Sequence, residues 1–227
     1  MTGEPGRGGF TGSAGLAGFA GFAPRVVVGI SGASGVVYGV RTLELLRELG
    51  VETHLVLTKA ARATLAHETD LAVADVRERA DHVYSEHDLG AAISSGSFPV
   101  EGMIVAPCSV KTLSGIANSY DDNLLVRAAD VTLKERRPLV LLLRETPLHA
   151  GHLRLMAQAN EAGATIMPPV PAFYTRPTSL DEMVSQTVGR ALDQLKLPHP
   201  ATARWAPDSR APRSREAPTD PARPASE

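Results

Sequence analysis

Short runs of β-branched and aliphatic residues alternate with stretches whose apolar positions recur every three to four residues. This alternation fills residues 25–196. The run RVVVGI (25–30) predicts a buried strand, and VVYGVRTLELLRELG (36–50) has helical spacing with a glycine stop at Gly50. THLVLT (53–58), EGMIVAP (101–107), PLVLLL (138–143) and ATIMP (164–168) predict four more strands, the second of these stopped by Pro107. Helical patterns cover 59–67, 109–117, 123–136, 147–162 and 180–196. For the helix at 147, Thr146 is the expected N-cap, Pro147 the first helical residue and Gly163 the stop. Continuously apolar strands separated by helices imply an α/β domain, a parallel sheet covered on both faces. Such sheets bind ligands at the carboxyl ends of their strands.

The flanks differ in kind. Residues 1–24 are mostly Gly, Ala, Phe and Thr without periodicity, which predicts a flexible arm. Residues 197–227 carry seven of the 17 prolines among Ala, Arg and Asp, which predicts a mostly disordered tail with an exception near Trp205. Residues 25–196 are then one folded domain. A net charge of −2 and 4% aromatic residues exclude bulk nucleic-acid binding and base-stacking surfaces. No apolar run reaches the roughly 18 residues of a membrane span, and no basic segment leads into an apolar stretch at the amino end, so a cytoplasmic location is expected. The single cysteine, Cys108, leaves no internal disulfide and reads as packing. The seven histidines show no metal-ligand spacing; His149 and His152 share a helix face but have no acidic or cysteine partner nearby, so no metal is expected.

The stretch VVVGISGASGVVYG (27–40) places glycines at 29, 32 and 35 where a strand turns into a helix. The spacing is G-x-x-G-x-x-G, and the second strand ends in Thr58 and Lys59 without an acid to hold a ribose, which disfavours a nicotinamide dinucleotide. Walker A is absent. Ser31, Ser34 and the amides of 32–35 suit a phosphate or the polar edge of a mononucleotide; a tight turn without ligand is the competing reading. Ser109 and Thr112 in PCSVKTLSG start a helix, either to bind an anion or simply to cap. Arg144 and Glu145 leave the fourth strand at its carboxyl end, where desolvation can raise the acid's pKa or the two can form an exposed ion pair. Arg127 and Lys134 lie two turns apart on one helix face, and Tyr174 sits in the proline-bounded loop PAFYTRP.

Together, GISGASGVVYGVRTLELL, TKAA, APCSVKTLSGIANSYDDNLLVRAADVTLKERRPLVLLLRETPLH and PPVPAFYTRP resemble the UbiX-type flavin prenyltransferases, over about 25–196. The resemblance implies a single Rossmann-like (flavodoxin-like) parallel-sheet domain assembled as a homo-dodecamer. It implies a metal-independent transferase that joins the dimethylallyl group of dimethylallyl monophosphate to N5 and C6 of reduced FMN. The prenylated FMN serves a UbiD-type decarboxylase. By position, Gly32, Ala33, Ser34, Thr58, Ser109, Val110, Lys111, Thr112 and Arg144 would hold FMN. Tyr174 and Arg190 would bind the prenyl phosphate, with Lys134 and Arg127 reaching in from a neighbouring subunit. Glu145 would be the acid–base residue, with Ser34 as relay and Glu68 a second carboxylate near the site. The long amino-terminal arm, the proline-rich tail and most of 70–98 depart from the family pattern. Two other readings stay open. An FMN-dependent cysteine decarboxylase of the same fold lacks support, because APCSVKT has no asparagine and the second helix offers only His67 as a base. A non-catalytic flavin carrier, such as an accessory subunit of a decarboxylase, would not need Glu145, Tyr174, Arg190 and Lys134 together.

Overall fold

A computed structural model describes residues 23–200 and 202–205. The strands and helices run in the order β1 (Arg25–Ile30), α1 (Val36–Glu48), β2 (Glu52–Leu57), α2 (Lys59–Glu68), α3 (Val73–Arg77), β3 (His82–Tyr84), β4 (Gly102–Cys108), α4 (Val110–Ala117), α5 (Leu124–Lys134), β5 (Leu139–Leu143), α6 (Ala150–Glu161), β6 (Ala164–Ile166) and α7 (Leu180–Gln194); all but α3 and β3 were expected. The six strands are all parallel in the order β3-β2-β1-β4-β5-β6. The strand order reverses between β1 and β4, and a crevice for ligands opens there at the carboxyl edge.

The period-two alternation of the strands divides the core. Val26, Val28 and Ile30 face α1, α2 and α7, while Val27 faces α4, α5 and α6. Both faces are apolar, so each central strand reads as a continuous hydrophobic run. Among the described residues no helix is long and apolar enough to cross a membrane.

Two expectations are corrected, and one stretch without a prediction gains elements. The helix expected from 147 begins at Ala150, with His149 as its N-cap through Nδ1, which accepts from the Gly151 amide at 3.0 Å. Thr146 and Pro147 stay in the loop that leaves β5, so they cannot cap it. β4 runs through Pro107 to Cys108, because a register shift between Val105 and Cys108 accommodates the proline. The stretch 70–98 contains α3 and the three-residue edge strand β3, both too short to impose a hydrophobic period.

Packing also continues past 196. Leu197, His199 and Thr202 are buried, and the Gln186 side chain exchanges two hydrogen bonds with the Ala203 backbone at 3.0 and 2.9 Å. A Cβ on Gly189 would lie 2.0 Å from Thr202 Oγ1, so this segment seats directly on α7. Trp205, the expected exception, meets Tyr174 edge to face at 5.5 Å. Of the arm expected at 1–24 and the tail expected at 197–227, residues 1–22, 201 and 206–227 lie outside the described residues.

α1 reaches the sheet through Gly39, where a Cβ would sit 2.4 Å from the Ala106 carbonyl and 2.6 Å from Ile30. Gly39→Ala gains about 1 kcal/mol of helix propensity and loses more to the clash with backbone. The expected net loss is about 1–2 kcal/mol in urea denaturation; a stabilised variant would show that α1 does not pack this closely.

Candidate functional site

The loop Ser31–Gly35 leaves β1 at the crevice and separates two cavities. Ser31 is buried; its hydroxyl donates to the Pro107 carbonyl at 2.9 Å and accepts from the Ser109 amide at 2.7 Å. This fixes the start of the glycine loop against the start of α4. Gly32 presses on α2, since a Cβ there would come within 2.3 Å of the Ala60 methyl.

The first cavity, about 500 Å3, is lined by Gly32, Thr58, Lys59, Ser109, Lys111 and Thr112, with Glu86, His87 and Asn123 on its far wall. Two helices begin in it. Thr58 caps α2 by accepting from the Ala61 amide at 3.1 Å, and Ser109 caps α4 by accepting from the Thr112 amide at 3.2 Å. Glu86 Oε1 takes the Lys59 amide at 2.7 Å. Among the described residues the amides of Ala60, Val110 and Lys111 then have no hydrogen-bond partner, and they lie at helix starts that favour an anion. Capping is therefore what the Thr58 and Ser109 hydroxyls do, and the amides beside them are the groups left for a ligand.

The second cavity, about 460 Å3, lies across the loop and is lined by Ser34, Tyr38, Arg144, Glu145 and Thr146, closed by Pro168 to Val170. Gly35 begins α1 with φ at 97°, a conformation glycine adopts readily, and so the helix has no side-chain cap of its own. Glu68, at the far end of α2, supplies one. Its Oε2 accepts from the Gly35 and Val36 amides at 2.8 and 3.1 Å, and its carboxylate also holds the Ser34 hydroxyl. Partial burial pushes the Glu68 carboxyl up, but these hydrogen bonds and the charge of Arg144 outweigh it and hold the group below its ordinary value of 4.5. Burial raises the Tyr38 phenol, and the nearby Arg144 charge offsets part of that rise. Glu145 is exposed at the exit of β5, where the chain leaves the sheet; its Oε1 accepts from the Thr146 amide at 3.0 Å. It forms no ion pair with Arg144, the alternative considered from the sequence, among the described residues.

Gly32, Thr58, Ser109, Lys111 and Thr112 thus gather in one cavity, and Ser34, Arg144 and Glu145 in the other. Val110 faces a third cavity beside His149 and His152. Tyr174, Arg190, Lys134 and Arg127 line neither of the first two. Arg190 pairs with Asp193 on α7, Lys134 with Glu135, and Arg127 with Asp121 and Asp130. Cys108 is buried, which pushes its thiol up to about 12 and removes it as a nucleophile. Sequence reading missed Tyr38, Glu86, His87 and Asn123. Tyr38 looks like one more helix residue, and Glu86 and His87 lie in the stretch that has no regular pattern.

The family model described as Flavoprotein matches residues 22–190. A flavin prenyltransferase UbiX of Escherichia coli (strain K12) is 61% identical over 184 residues, covering 80% of this chain and 97% of the relative. The crystal structure of AnUbiX (PadA1) in complex with FMN and dimethylallyl pyrophosphate superposes with a TM-score of 0.80 at 49% identity, covering 82% of this chain and 98% of that one. A dodecameric FMN-dependent UbiX-like decarboxylase from Escherichia coli O157:H7 has a TM-score of 0.78 at 48% identity, covering 80% of this chain and 99% of that one.

Glu68→Gln keeps the shape of the cap and removes its charge. At pH 7 the loss in urea denaturation is expected to be about 1 kcal/mol, small because the carboxylate is exposed. A depressed carboxyl stabilises the fold above its unfolded pKa and loses that contribution as pH falls through its folded value. The gap between wild type and variant should therefore close in acid, below pH 4.5. A gap independent of pH would show that charge plays no part in the cap.

Proposed function

The chain belongs to the flavoprotein family, among the UbiX flavin prenyltransferases, and from that premise we propose that it joins the dimethylallyl group of dimethylallyl monophosphate to N5 and C6 of reduced FMN. The observation that carries this reading in the fold is the shared wall. The loop Ser31–Gly35 borders both cavities, so a flavin held on one side presents its edge to a prenyl group on the other.

The residues present fit FMN. The helix-start amides of Ala60, Val110 and Lys111 offer donors to a phosphate, and Ser34, Thr58, Ser109, Thr112 and Arg144 supply polar side chains beside Gly32; Ala33, between Gly32 and Ser34 in the loop, lines neither cavity and is kept from family position. The cavities have the size and mixed lining of small-molecule sites. When bound, reduced FMN supplies the nucleophilic N5 and C6. The chain's residues then have three tasks. Tyr174, Arg190, Lys134 and Arg127 neutralise the departing phosphate, where charge develops. Glu145, with Ser34, gives a proton to the prenyl alkene and removes one from C6. Glu68 orients Ser34 through the hydrogen bond already in place. Enclosure keeps water away from the allylic carbon.

We propose further that neighbouring chains complete the site. The loop carrying Tyr174 exposes Val170, Phe173 and Tyr174, and Leu180 follows at the start of α7, an apolar strip on the surface of the single chain. Covering it in a homo-dodecamer would bury Glu145 and bring the phosphate-binding side chains of adjacent subunits to the second cavity. The prenylated FMN passes to a UbiD-type decarboxylase in the cytoplasm.

Incubating the full chain with reduced FMN and dimethylallyl monophosphate should yield, by mass spectrometry, a flavin heavier by one prenyl group. Glu145→Gln should bind FMN with wild-type affinity and form product about 10²–10⁴-fold more slowly. Lys134→Ala and Arg190→Ala should bind FMN normally while losing prenyl-phosphate binding. Wild-type product formation by Glu145→Gln would remove that residue from the proton transfers. Unchanged turnover in both cation variants would place the phosphate elsewhere.

A further inference from the structure

At the amino edge of the sheet, opposite the crevice, three potential ligands converge. Glu52 and His54 lie two residues apart on β2 and so share one face. The parallel register sets His54 beside His82 of β3. Both imidazole Nε2 atoms point at the same oxygen, Glu52 Oε1, at 3.2 Å from His54 and 3.1 Å from His82. The three candidate ligand atoms all lie within 4.8 Å of one another. Spacing hides this group in the sequence, because only strand pairing brings His82 to His54.

We propose that Glu52, His54 and His82 bind a divalent transition-metal ion such as Zn2+, separate from the prenyl-transfer site. Two imidazoles and a carboxylate are a zinc-type donor set, and bonds of 2.0–2.2 Å in tetrahedral geometry require ligand atoms about 3.4 Å apart. Both distances to Oε1 are close to that already. His82 is half exposed, so its ring can turn toward the ion and leave a fourth position to water.

The surrounding groups hold the ligands in place. His54 is buried, and its Nδ1 lies 2.9 Å from the Tyr84 hydroxyl. With Nε2 on the ion, Nδ1–H donates to that oxygen, the outer partner that ligating histidines usually have. Arg25 Nε donates to Glu52 Oε2 at 3.1 Å, which turns Oε1 toward the imidazoles. The Phe98 ring packs edge-on against His54 at 5.0 Å. Burial raises the Glu52 carboxyl, but Arg25 and the two histidines bring it below its ordinary value; burial and the His82 charge lower His54.

The ion would tie the three-residue edge strand β3 to β2. β3 leads directly to Glu86 and His87 in the wall of the first cavity. Its role is thus structural: it steadies that wall from the far end of the strand.

Zn2+ titrated calorimetrically into chelator-treated full-length protein should bind at one ion per chain and raise the thermal midpoint. His82→Ala should weaken binding by more than the about 10–100-fold expected for an outer partner, and Tyr84→Phe by up to that amount. His82→Asp, which restores a ligand, should recover much of the affinity and guards against a folding defect. His149→Ala should leave the titration unchanged. No uptake by the wild type, equal uptake by His82→Ala, or uptake abolished by His149→Ala would overturn the proposal.

Discussion

The buried Ser31 hydroxyl ties β1 to β4 where the strand order reverses. It donates to the Pro107 carbonyl and accepts from the Ser109 amide, and the Ser31 amide donates to the same carbonyl at 3.2 Å. A buried hydroxyl with both roles filled is stabilising; one left unpaired would cost about 1–3 kcal/mol. The glycine loop and the start of α4 both diverge from this point, so the two cavities on either side of the loop inherit their positions from it. β4 runs through Pro107, a residue with no N–H to donate, and its carbonyl is the acceptor that Ser31 uses twice.

Around that junction the helix starts are satisfied unequally. Thr58 and Ser109 cap α2 and α4 locally, whereas α1 begins at a glycine and borrows the carboxylate of Glu68 from the end of α2. Local caps leave neighbouring amides open for an anion. The borrowed cap holds Ser34 and Gly35 instead, and Arg144 lies near enough for its charge to help keep that carboxyl below its ordinary value. One side of Ser31–Gly35 thus keeps open helix-start amides, while on the other the first amides of α1 are taken up by Glu68. That division matches the proposed separation of flavin binding from prenyl transfer.

Much of the fold was legible because its central strands are continuous apolar runs and its helices carry strong periodicity. What stayed hidden was short or non-local. β3 has three residues, and its alignment beside β2, which brings His82 to His54, is set by strand pairing alone. Thr146 and Pro147 carry good helix-start chemistry, but β5 feeds them into the cavity wall and His149 caps α6 instead. The tail composition concealed Leu197, His199 and Thr202, whose packing depends on the groove above Gly189. Within the site, the glycine loop, Ser109 and Glu145 were readable from their places after strands. Glu68 was found by family position, and its capping role follows only from the approach of α2 to α1. Tyr174, Arg190, Lys134 and Arg127 stand apart from both cavities in one chain, because the surface they belong to is completed by other chains in the proposed assembly.

The most direct test is a structure of the assembled protein with FMN and dimethylallyl monophosphate bound. The account predicts the flavin against Gly32–Ser34 and the start of α4, with Glu145 facing the prenyl group. It also predicts Tyr174, Arg190 and Lys134 meeting the phosphate across subunit boundaries. A flavin bound away from the β1–β4 crevice, or a prenyl phosphate held without those side chains, would contradict it.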